Sequence, residues 1–183
     1  MNESQLIIAC KKRNRSAQKA LYETYAPKML GLCMRYCKSN DMAYDFLHDG
    51  FIQVFTQIDS YSGKGSFEGW LRRVFVNVIL ENFRQEKKND KFLSELKYLE
   101  ETEMESDDVF FDMSDLSHEK LLSIIRKLPE GYQTVFNLFV FEDMTHKEIS
   151  RQLGISEATS RSQYARARKM LQKQVSILLQ HQE

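Results

Sequence analysis

No run of about 18 apolar residues occurs anywhere in the 183-residue chain, so no membrane insertion is expected. Proline appears twice and glycine seven times. That scarcity of turn formers argues against a turn-rich β fold and for long helices. Cysteine appears three times, at Cys10, Cys33 and Cys37. An odd number without a secretion signal excludes a disulfide framework. The first residues, MNESQLIIACKKRN, place acid before the apolar run and base after it, the reverse of a signal peptide, so the protein is expected in the cytoplasm. Cys33 and Cys37 lack the further ligands that a structural zinc site needs, and they share a helical face with Leu30 and Met34. They are read as small core residues, and no metal or cofactor is expected.

What is present is an uneven charge distribution beneath a net charge of zero. Residues 1–90 hold 14 Lys and Arg against 10 Asp and Glu, a net +4. Residues 91–120 hold 3 against 10, a net −7, and residues 121–183 hold 9 against 6, a net +3. Two mildly basic blocks flanking an acidic one point to nucleic acid as a partner of the ends. Periodicity agrees with that division. The fold class is all-α: two small helical domains, residues 1–88 and 116–183, joined by an acidic flexible linker at 89–115 with a short helix at KFLSELKYL. In the first domain Ser16 is a candidate cap, Pro27 suits the first turn of a further helix, Asp41 can cap a helix through Ile58, and Ser66 starts one running to about Lys88.

The stretch THKEISRQLGISEATSRSQYARARK, residues 145–169, carries the strongest motif. Thr145 and Glu148 form a capping box, Gly154 supplies a left-handed stop, and Ser156 caps the next helix. At 100° per residue, Ser160, Tyr164, Ala167, Leu171 and Leu178 face inward, while Arg161, Ser162, Ala165, Arg166, Arg168 and Lys169 face out. This is a helix-turn-helix whose second helix suits a DNA major groove, with Gln163 beside the arginines as a further candidate reader. Ser160, small and polar on the inward face, is expected to loosen the packing.

In the first domain, the helix from Ser66 lines Trp70, Arg73, Asn77, Glu81, Arg84 and Lys88 along one stripe. An aromatic corner with Phe55, Tyr61 and Phe67 precedes it. A ring, an amide and cations along one edge are what unstacked bases require, although Phe55 and Phe67 read first as core. The helix from Asp41 exposes Asp45, His48, Asp49, Gln53 and Gln57, an acidic and amide-bearing strip suited to a basic helical partner.

Taken in order, YDFLHDGFIQVF, SFEGWLRRVFVNVILENFRQEKK and LPEGYQTVFNLFVFEDMTHKEISRQLGISEATSRSQYARARKML resemble the extracytoplasmic-function (ECF) subgroup of bacterial sigma factors across nearly the whole chain. The resemblance implies transcription initiation without catalysis. Its first domain would bind the clamp helices of core RNA polymerase through Asp45, His48, Asp49 and Gln53, and would melt and read the minus-ten element. Asn77 matches the asparagine that contacts a flipped-out base, with Trp70, Arg73 and Arg84 bordering the strand. The second domain would meet the polymerase flap and read the minus-thirty-five element through Arg161, Ser162 and Arg166. The linker would run toward the RNA exit path as a displaceable stand-in for RNA, and an anti-sigma factor would be a further partner. His48 stands where the family often has glutamine, and Ser160 where it often has valine.

The alternative reading is a helix-turn-helix regulator that binds a symmetric operator without polymerase. An enzyme is not expected: GKGS at 63–66 lacks the spacing of a phosphate-binding loop, and His48, His118, His146 and His181 are scattered.

Overall fold

The computed structural model describes residues 2–87 and 117–180. The expected linker at 89–115, its short helix and Lys88 lie outside them. Among the described residues the regular elements are helices, with no strand. The chain divides into two compact units, Met1–Glu86 and Lys87–Glu183.

The first unit holds α1 (Glu3–Lys11), α2 (Arg15–Tyr36), α3 (Asn40–Gln57), a 3-10 turn at Ile58–Ser60 and α4 (Phe67–Lys87). The cap of α2 is Asn14, not Ser16: its side chain accepts from the Ala17 amide at 3.0 Å. Pro27 does not begin a new helix but lies inside α2. A mid-helix proline removes one hydrogen bond and costs about 3 kcal/mol. Here the buried stripe Leu21, Tyr25, Met29, Leu32, Cys33 and Tyr36 continues across it and outweighs that loss. Likewise α3 is capped by Ser39, whose hydroxyl accepts from the Met42 amide at 3.2 Å. Asp41 instead sits in the first turn, where a carboxylate favours the helix dipole. Ser66 does cap α4, accepting from the Gly69 amide at 3.1 Å.

Aromatic rings join the helices of this unit. Phe51 of α3 meets Tyr22 of α2 at 4.6 Å and Phe75 of α4 at 5.3 Å. Phe46 meets Phe83 at 5.9 Å, and Tyr25 meets Phe67 at 5.6 Å. At Gly50 the α3 backbone lies against the Phe75 ring so closely that an added Cβ would fall among the ring atoms. The three cysteines are free and buried. Burial, with Cys37 nearby, pushes the Cys33 thiol up to about 12, so it stays a neutral hydrophobe at neutral pH. Among the described residues no group of three His, Cys, Asp or Glu is placed to hold a metal.

The second unit holds α5 (His118–Arg126), α6 (Glu130–Val140), α7 (His146–Leu153) and α8 (Glu157–Gln180). Ile124, Ile125 and Leu128 pack with Tyr132 and Phe136 of α6 and with Ala167, Leu171 and Val175 of α8. The capping box is present: the Glu148 amide donates to Thr145 Oγ1, and the Thr145 amide donates to Glu148 Oε2 at 2.8 Å. Gly154 adopts φ 68°, ψ 34°, a left-handed conformation costly for any residue with a Cβ. Ser156 then accepts from the Thr159 amide at 2.9 Å and starts α8. A short left-handed turn between two capped helices is the helix-turn-helix joint.

Candidate nucleic-acid interface

In the first unit, three bonds from two cations fix the corner ahead of α4. Lys11 Nζ donates to the Tyr61 carbonyl at 2.7 Å, and Arg13 binds the Phe55 carbonyl and the Asp59 carboxylate. The loop between Tyr61 and Phe67 turns through Gly63 and Gly65, both at φ 78°, and the Tyr61 hydroxyl donates to the Gly65 carbonyl at 2.9 Å. Phe67 is buried beneath it, and Phe55 is half-buried against Phe51, so both belong to the core. Trp70 is half-buried, stacked on Phe67 at 5.5 Å and tilted against Tyr61 at 5.6 Å. Its ring is thereby held rigid with one part open to solvent.

Arg73, Asn77, Glu81 and Arg84 are exposed on α4. Arg84 is paired with Glu81 at 3.2 Å, one turn away. Asp45, His48, Asp49 and Gln53 are exposed on α3, with Tyr44 and Ile52 open beside them. The structure joins sets that the sequence presents separately. Asp49 and Gln53 from α3 and Asn77 and Arg84 from α4 line one groove of ≈ 560 Å³, floored by Val74 and Val78. Trp70 and Arg73 lie outside its lining.

In the second unit, Arg161 is exposed and pairs loosely with Glu157 at 3.3 Å. Ser162 is half-buried and donates to the Thr159 carbonyl at 3.0 Å. Arg166 is half-buried, with a long 3.4 Å contact to the Tyr132 hydroxyl, and Arg168 lies over the Tyr164 ring at 6.0 Å. The outward cations are therefore partly anchored by the aromatic residues beneath them.

Gln163 is corrected. It is 3% exposed and faces inward between Ser160 and Ala167, so it presents no edge to DNA. The inward sector is broader than a narrow stripe, because α6 and α7 both pack on α8. Ser160 does not loosen that packing. Its buried hydroxyl meets His146 Nδ1 at 2.9 Å. His146 was unremarkable in the sequence; an isolated polar residue at the inward position 160 was the available signal for it. Half-burial, and then the nearby Arg161 charge, hold the His146 ring below the ordinary histidine value, with Glu157 acting the other way.

The chain matches the family model for Sigma-70 region 2 over residues 21–89 and that for Sigma-70 region 4 over residues 118–171. It is 27% identical to the ECF RNA polymerase sigma factor SigW of Bacillus subtilis, over 92% of this chain and 94% of that one. It is 25% identical to the ECF RNA polymerase sigma-E factor of Haemophilus influenzae, over 98% of both. Among solved structures, the sigma factor RpoE of Bartonella quintana, in complex with the anti-sigma factor NepR, has the same fold. Its TM-score is 0.54 at 18% identity, over 87% of this chain and 96% of that one. The chain belongs to the sigma-70 family, in its ECF subgroup.

Proposed function

We propose that this sigma factor grips one promoter at two points, one from each unit, while α3 holds it to the polymerase. As a member of its family the chain is a non-enzymatic initiation factor that binds core RNA polymerase and directs promoter-specific transcription. The observation that carries this reading is the order of the two matched regions in one chain. A one-domain regulator needs the second region alone, so the first region counts against it.

In the proposed assignment, residues 1–88 bind the clamp helices and open the minus-ten element, and residues 116–183 meet the flap and read the minus-thirty-five element. The segment 89–115, acidic in sequence, serves as the tether through the polymerase. Asp45, His48, Asp49 and Gln53 dock on a basic helical surface, and their exposure on one face of α3 supports it. Asn77 reads an unpaired base, Arg73 and Arg84 hold the strand, and Trp70 offers a fixed ring edge. Arg161, Ser162 and Arg166 read the upstream element. An anti-sigma factor, as found bound to the Bartonella protein, is the proposed regulator. The site of action is the cytoplasm, where the polymerase is; no described helix is long and apolar enough to cross a membrane.

The test is to add the protein to core polymerase and map transcript starts. Initiation at defined promoters that is lost on deleting residues 121–183 supports the assignment; no initiation anywhere rejects it. Two substitutions separate the roles. Reversing charge at Asp45 and Asp49 to lysine is expected to weaken core association about tenfold or more with little change in thermal stability, because both side chains are exposed. Asn77→Ala is expected to slow promoter opening while core association stays intact. Loss of core association by Asn77→Ala would make that residue structural.

A further inference from the structure

One imidazole joins three helices of the upstream-reading unit. His146 is the first residue of α7. Its ring lies on Phe139 of α6, with centroids 4.6 Å apart and planes 17° from parallel. The same ring meets Tyr164 of α8 at 5.8 Å and 60°. Its Nδ1 lies 2.9 Å from the hydroxyl of Ser160, which is wholly buried on α8. Arg161 and Ser162 follow Ser160 directly in the chain.

We infer that His146 is a positioning residue for upstream-element reading: the neutral ring accepts the Ser160 hydroxyl and seats α8 against α7, and protonation in mild acid releases that seat. This rests on the reading of α8 as a promoter-reading helix.

The chemistry runs in one direction. With Nε2 carrying the proton, the Ser160 hydroxyl donates to Nδ1. A second proton on the ring turns Nδ1 into a donor. The hydroxyl then accepts from Nδ1 and loses the bond it donated, its hydrogen turning toward the second lone pair of the Ser156 carbonyl, which already accepts the Ser160 amide at 3.0 Å. The new charge would sit in the first turn of α7, the end of a helix that disfavours a cation. On α8 it would face Arg161, and Glu157 would oppose that repulsion while itself paired with Arg161. On α7, Glu148 is engaged by Thr145 and Lys147 is exposed. On α6 the neighbour is the uncharged Phe139. The faces of Phe139 and Tyr164 attract a cation weakly, but half-burial costs the charged ring more. A ring that resists protonation contributes stability that is fully present above the ordinary histidine value and is lost as pH falls from there through the ring's lower value in the folded protein.

The experiment measures transcription by holoenzyme containing the full chain. The templates are a promoter mapped for it and the same fragment with the upstream element scrambled. From about pH 8 to about pH 6, preference for the intact element is expected to fall about two- to threefold, because a ring with a midpoint below the ordinary histidine value is only partly protonated at pH 6. His146→Asn keeps an acceptor near the Nδ1 position and cannot take the proton, so its preference should stay flat. Ser160→Ala should lower preference at the higher pH and remove the pH dependence. A flat wild-type profile, or an unchanged slope in His146→Asn, overturns the inference. Ring-nitrogen NMR on the free full-length chain is independent of transcription. An unprotonated Nδ1 at neutral pH and a midpoint below about 6.5 support it, and a midpoint at or above that value overturns it. Absence of initiation at any pH would instead reject the promoter assignment and leave the NMR result to decide the histidine.

Discussion

Gly50→Ala is expected to destabilise the first unit by about 1–3 kcal/mol, despite alanine's advantage of about 1 kcal/mol inside a helix. The new methyl would occupy the space of the Phe75 ring. That ring is wholly buried and held edge-on by Phe51, so it cannot swing into solvent. Either α3 and α4 separate or the ring leaves its rotamer, and a close-packed interior resists both. For a unit of this size, each kcal/mol lowers Tm by about 4–8 °C, well within reach of a thermal melt. Pairing the change with Phe75→Leu should recover part of the loss, because the smaller side chain leaves room for the methyl. Additivity within about 0.5 kcal/mol would show that the two residues do not share that space. The effect should also reach function, since the groove lined by Asp49, Gln53, Asn77 and Arg84 exists only while α3 and α4 stay in register.

Arg161→Ala should reduce discrimination at the upstream element by about 1–3 kcal/mol, or roughly 5- to 150-fold in relative promoter use. Its guanidinium is exposed, and its pair with Glu157 is equally open to water. Surface pairs of this kind contribute little to folding, so stability should change by less than about 0.5 kcal/mol. The measurement is competitive transcription from a mapped promoter and variants altered one base at a time upstream. Relaxed preference confined to one or two positions identifies a base contact. Uniform weakening across all templates, with a shallower salt dependence, would assign Arg161 to a phosphate instead. Unchanged promoter choice would mean that α8 presents a different face.

Several features of the fold can be read from residue spacing. Thr145 and Glu148 are three apart, which suffices for a capping box because the bonds are local. Gly154 follows the last apolar residue of α7 and takes the left-handed conformation that its position demands. Elsewhere local signals compete, and the winner is set by packing. Ser16 and Asp41 are sound caps in isolation, but Asn14 and Ser39 take that place where the chain leaves the preceding element. Pro27 reads as a helix start, yet α2 runs through it because its buried stripe is continuous on both sides.

The sites divide in the same way. A period of 3.6 places Asp45, His48, Asp49 and Gln53 on the open side of α3 and Asn77 and Arg84 on the open side of α4, because amphipathic helices bury their apolar stripe. It does not show that these two sides meet in one groove. Nor does it decide Gln163, which falls at the edge of the inward sector, since the width of that sector depends on how many neighbours pack against the helix.

Sequence alone determined the helical class, the helix-turn-helix joint and the family, because each rests on residues close together in the chain or on their order. Tertiary structure alone decided that Gly50 admits Phe75, that Gln163 turns away from solvent and that Ser160 finds His146. Those outcomes depend on distances between residues from different helices, and a helical period specifies a direction around an axis without specifying what lies there.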